Sequence, residues 1–193
     1  MKNLFAHADK DRNLCVEECC IAIEEFSLIV NTISKVLKYL DVNSKCSINL
    51  GLYNKLSMIK NLSINIVGRF TSLHNLVISG RLAKEIDVSI NTLCNLANGV
   101  VELRNQVKEV LDSDLVANCR YVKDHLENVT SHIDNIGLKL LIIALNLIKE
   151  YPDIPQMYSG KIASSLASLL FASLLSIHNK NVKKALDQCF ARI

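Results

Sequence analysis

From Leu115 to Leu147 apolar side chains recur in alternate steps of four and three residues. The run reads Leu115, Cys119, Val122, Leu126, Val129, Ile133, Ile136, Leu140, Ile143 and Leu147. A mean step of 3.5 residues holds a narrow apolar seam on one side of a helix and requires another helix to cover it. The run predicts one helix over 115–149, roughly 35 residues and about 50 Å long. A helix of that length does not fit inside a small compact globule, so the pattern predicts an elongated bundle.

The same reading carried along the chain gives four more helices. The first is expected over 13–41, capped by Asp11 or Asn13, with Glu17 and Glu18 in its first turn near the positive end of the helix dipole. Residues 42–51, rich in Asn and Ser and closed by Gly51, read as a loop. A second helix is expected over 53–79, with Gly80 as its stop or as a soft spot in a longer helix. A third, over 82–111, has the seam Ile86, Ile90, Leu93, Ala97, Val100, Arg104, Val107 and Leu111. Arg104 interrupts it; a charged seam position costs stability and fixes register or partner number, and it asks for an acid opposite. The phase slips at Asp112-Ser113-Asp114, which reads as a turn before the 115–149 helix. Tyr151-Pro152-Asp153-Ile154-Pro155 ends that helix, and a fifth is expected over 158–189. The fold class is therefore all-α: an elongated bundle of about five long antiparallel helices with coiled-coil-like seams, forming a single domain over 1–193.

Composition agrees with few long helices. Half of the 193 residues are apolar, only 5% are aromatic, and there are 6 Gly and 2 Pro, too few for the many turns of a sheet protein. Seven scattered cysteines (15, 19, 20, 46, 94, 119 and 189) form no disulfide framework and fall mostly on apolar faces. They point to a reducing, cytoplasmic or otherwise intracellular setting, and the N-terminus shows no signal-peptide pattern.

The net charge of +3 conceals a strong segregation. Residues 31–84 hold eight basic groups and one acid, whereas residues 85–136 hold four basic and nine acidic groups. One reading is that oppositely charged helices lie side by side and attract along their flanks. The other is that Lys35, Lys38, Lys45, Lys55, Lys60, Arg69, Arg81 and Lys84 bind the phosphates of nucleic acid or anionic lipid.

Candidate chemistry is sparse. Asp9, Asp11 and Asn13 have the spacing of the first ligands of a calcium-binding EF-hand loop, but Leu14 replaces the turn glycine and Cys20 the closing glutamate, so capping is the better reading. Cys15 and Cys19 offer two thiols one turn apart without the second pair that a structural zinc site needs. His125 and His132 read as solvated flank positions, and His74 has no evident partner. No phosphate-cradling glycine loop, nucleophile elbow or metal-binding histidine motif occurs. The expectation is a non-enzyme without cofactor, metal, catalytic residue or small-molecule substrate.

Three functions from different classes follow. The first is an interaction or scaffold protein that self-associates through its seams, with Arg104, Val122, Leu126, Val129 and Ile133 at the interface. The second is a membrane- or lipid-interacting bundle that uses the apolar hairpin 136–177, in which Lys139 interrupts the first arm and each arm is shorter than a span requires. The third is nucleic-acid binding through the basic segment 31–84. Periodicity alone does not decide whether the seams close within one chain or between chains.

Overall fold

The computed structural model describes residues 2–42, 50–79, 85–117, 119–150 and 164. They form helices α1 (Lys2–Val42), α2 (Leu50–Ile78), α3 (Ile86–Leu111), α4 (Asp114–Ala117) and α5 (Arg120–Glu150), with no strand among the described residues. The chain is an all-α bundle. The expected fifth helix over 158–189 lies outside the described residues.

The four long helices close a ring in which α1 packs on α2 and α5, and α3 packs on α2 and α5. Every neighbouring pair is antiparallel, as paired contacts show. Glu25 meets His132 and Glu18 meets Lys139, so stepping back seven residues on α1 steps forward seven on α5. Phe26 meets Phe70 and Cys20 meets His74 across α1 and α2. Gly99 meets Ile66 and Glu109 meets Lys55 across α3 and α2. The interior is almost wholly aliphatic and continuous, from Cys19, Phe26 and Ile33 of α1 through Leu56, Ile66 and Phe70 of α2 and Leu96 and Leu103 of α3 to Leu126, Ile133 and Leu140 of α5. Full burial of each large side chain contributes about 1.5–3 kcal/mol. Phe26 and Phe70, both inaccessible, pack tilted with ring centroids 5.6 Å apart.

Four boundaries differ from expectation. α2 begins at Leu50, so Gly51 stands inside its first turn and does not close the expected 42–51 loop, a lone helical Gly costing only about 1 kcal/mol. α1 begins at Lys2, so Asp11 and Asn13 stand inside the helix and cap nothing, and Glu17 and Glu18 lie beyond its first turn. No Gly or Pro interrupts 2–13, and Ala6, Ala8 and Leu4 are good helix formers. The seam helix starts at Arg120 instead of Leu115 and is 31 residues long. The stretch between is the single turn α4, which folds Val116 (1% exposed) and the following Cys119 into the end of the core. Ser113 helps to close α3, its hydroxyl donating to the Val110 carbonyl at 2.6 Å. Finally, α3 starts at Ile86, with Glu85 at its N-cap making no side-chain cap.

Candidate functional site

The described seams close within one chain. Val122, Leu126, Val129 and Ile133 are at most 1% exposed, covered by α1 and α3 of the same molecule. Arg104, at 9% exposure, finds its acid on α5: its Nε donates to Asp134 Oδ1 at 2.8 Å, and Asp134 is 5% exposed. The five residues expected at an interface between chains are thus core positions of this one.

Two more polar contacts bridge α1 and α5. Glu18 Oε2 lies 2.8 Å from Lys139 Nζ in a largely buried ion pair. This explains how the apolar half of α5 tolerates Lys139. His132 Nδ1 meets a carboxylate oxygen of Glu25, both side chains about four-fifths shielded, so His132 is an interhelical contact and not the solvated flank position expected. Near the other end, Tyr39 of α1 stacks on Tyr121 of α5, which in turn packs on His125, each pair with centroids 4.1 Å apart. His74 also has a partner: its Nε2 lies 3.3 Å from Cys20 Sγ.

The basic residues do not make one free surface. Lys55 is held by Glu109 at 2.6 Å, joining the basic α2 to the acidic α3. Lys60 is half-buried, Lys35, Lys38 and Arg69 are exposed on two helices, and Lys45, Arg81 and Lys84 lie outside the described residues. The charge segregation is used in part along helix flanks, as oppositely charged neighbouring helices would use it. Among the described residues no helix is long and apolar enough to cross a membrane. Of the expected apolar hairpin, the arm from Ile136 is core up to Ala144, and the arm to Ile177 lies outside the described residues except for the exposed Ser164.

The outer face of α2 was not singled out by the sequence pattern. Its exposed positions within the helix are Leu50, Gly51, Asn54, Met58, Asn61, Ile64, Asn65, Gly68, Arg69, Thr71, Ser72, Asn75 and Ile78, and Arg69 alone among them is charged. The other three faces are mixed: Glu17, Glu24, Lys35 and Lys38 on α1, Asp87, Glu102, Lys108 and Glu109 on α3, and Arg120, Lys123, Asp124 and Glu127 on α5 are all exposed. Asn54, Met58, Asn61, Asn65, Gly68, Ser72 and Asn75 follow steps of four and three, the spacing of the seams themselves. The hydroxyls of Thr71 and Ser72 donate to the carbonyls of Val67 and Gly68, each at 3.0 Å. A Cβ placed on Gly68 would meet nothing within 4 Å. Met58, Ile64 and Ile78 are 61%, 48% and 48% exposed. The face is thus nearly uncharged, partly apolar, with hydroxyls already satisfied by its own backbone, and open at its middle.

The outer side of α3 carries a shallow groove of about 340 Å³ between Asn98, Val101, Glu102, Asn105, Gln106 and Glu109. Among the described residues no group of three or more His, Cys, Asp or Glu is placed to hold a metal ion. No protein-family model, curated protein or solved structure matches the chain.

Proposed function

We propose that the protein is a non-enzymatic helical bundle that works by protein–protein association, and that it self-associates through the outer face of α2 instead of through its seams. The observation that carries this reading is the near absence of charge on that face, where Arg69 is the one charged residue; Lys55 is turned to the flank, held by Glu109 of α3. Cores of protein interfaces are depleted in charge, because desolvating an ion is costly. The back-bonded hydroxyls of Thr71 and Ser72 lower that cost further, since their donors already have acceptors. Gly68 lies well inside α2 and allows a second helix to approach closely. The occupant best matched to such a face is a second copy of it, related by a two-fold axis near Gly68, since an isologous contact places like against like and uncharged faces tolerate that.

Light scattering on a size-exclusion column under reducing conditions tests the proposal. The wild type is expected at twice the 21.5 kDa chain mass, and Gly68→Arg at 21.5 kDa with its helix content intact. A wild type that stays monomeric at high concentration would refute self-association. An oligomer indifferent to Gly68→Arg would refute the assigned face.

A further inference from the structure

We propose that Cys20 and His74, which meet where α1 packs on α2, form a thiol–disulfide exchange site, one that accepts small neutral or cationic disulfides and retains half of each as a mixed disulfide. Cys20 is exposed, and its Sγ lies 3.3 Å from Nε2 of a histidine that a different helix supplies. A nucleophile and a base within hydrogen-bond reach on two rigid elements is the arrangement that activates a thiol. The register that brings them together is fixed by the packed Phe26–Phe70 pair a short distance along the same two helices.

The neighbouring thiols are of another kind. Cys15, Cys19, Cys94 and Cys119 are buried. Burial, reinforced by Cys15, Cys20 and Glu18 nearby, pushes the Cys19 thiol up to about 12, so it stays protonated. Cys20 therefore has the access that the other described thiols lack.

The step balances without an outside oxidant other than the disulfide itself. His74 Nε2 takes the thiol proton as Sγ attacks one sulfur of the incoming disulfide. The old S–S bond breaks as the new one forms, and the departing thiolate takes the proton from the imidazolium. Cys20 is oxidised to the mixed disulfide, and the released half is reduced to a thiol. No thiol on α1 is placed to resolve the adduct. Cys15, five residues away, is displaced by about 7.5 Å of helical rise alone, beyond the reach of a disulfide. Cys19 is buried. Among the described thiols none is placed to resolve the adduct, which on this proposal persists until an outside thiol removes it.

The chemical class of the disulfide follows from charge. Glu17 and Glu24, three residues before and four after Cys20, are exposed neighbours on the same helix surface. They favour a cationic disulfide such as cystamine over the anionic oxidised glutathione.

The test uses the reduced full-length chain, exposed to cystamine or oxidised glutathione at neutral pH, with adducts mapped by peptide mass spectrometry. The native protein is expected to form the adduct at Cys20 faster than the urea-unfolded chain, with a cystamine preference that shrinks in Glu17→Gln/Glu24→Gln. His74→Gln, folded by circular dichroism, is expected to slow the Cys20 reaction by at least about tenfold. A Cys20 that reacts no faster in the native than in the unfolded chain, or equally fast in His74→Gln, would overturn the proposal.

Discussion

Two stripes with the same four-three spacing run along different sides of this molecule, the seam of α5 from Val122 to Ile143 and the outer stripe of α2 from Asn54 to Asn75. The first is apolar and inaccessible; the second is exposed and mostly polar, with Met58 its one large apolar member. Identical periodicity thus serves opposite environments, and side-chain chemistry decides which stripe faces inward. A buried seam gains from every methylene. An outer stripe of Asn, Ser and Gly with a single Met has little to gain from burial in its own chain, yet loses little on meeting a neighbour.

The sharpest way to break the comparison is to charge the inner stripe. Val129→Asp places a carboxylate at a position with no exposure, and a loss of about 4 kcal/mol or more is expected, seen as collapse of the cooperative helical transition by circular dichroism. A folded variant of changed mass would instead mean that Val129 faces another chain. Next comes the charged rung within the seam. Asp134→Ala leaves Arg104 buried without its carboxylate and is expected to cost about 3–5 kcal/mol in urea unfolding. Replacing both partners, as in Arg104→Met/Asp134→Leu, is expected to recover most of that loss, because the ion pair contributes register more than net stability.

Smaller effects separate the inside from the outside at two glycines. Gly68→Ala meets open space and is expected to stabilise the isolated chain by up to about 1 kcal/mol through helix propensity. Gly99→Ala sets a Cβ 3.3 Å from Cγ1 and 3.4 Å from Cδ1 of Ile66 between α3 and α2, so Ile66 must shift and the gain is expected to shrink or reverse. Denaturant midpoints of the two variants, measured under monomeric conditions, check the order. The smallest change is expected from Lys55→Ala, at most about 1 kcal/mol, because its ion pair with Glu109 is largely solvated.

Much of the fold was legible in the sequence because burial and periodicity are local properties. The α3 seam from Ile90 to Val107 and the α5 seam from Val122 to Ile143 are both core, with Arg104 as the one charged member. The helix starts were less legible. Capping residues such as Asp11 and Asn13 are permitted inside a helix when nothing else stops it, and the α4 turn exists because Val116 and Cys119 pack into the bundle end, a tertiary cause. The cross-helix contacts were illegible singly, since Asp134, His132 and His74 acquire partners only once the antiparallel registers are set. The outer face of α2 had a signal of its own: helix 53–79 carries no acid at all, which the overall charge of the basic segment obscured.

The most direct test of the account is cross-linking at the centre of the outer stripe. In a Cys20→Ser background, Gly68→Cys places a thiol near the proposed two-fold axis, and Asn91→Cys places one on the exposed side of α3 as a control. The account predicts that mild oxidation converts the Gly68→Cys protein to a disulfide-linked dimer at dilute concentration while the Asn91→Cys protein stays monomeric, since close approach is required for the bond. Equal and slow cross-linking at both positions would contradict the claim that α2 faces a second copy of itself.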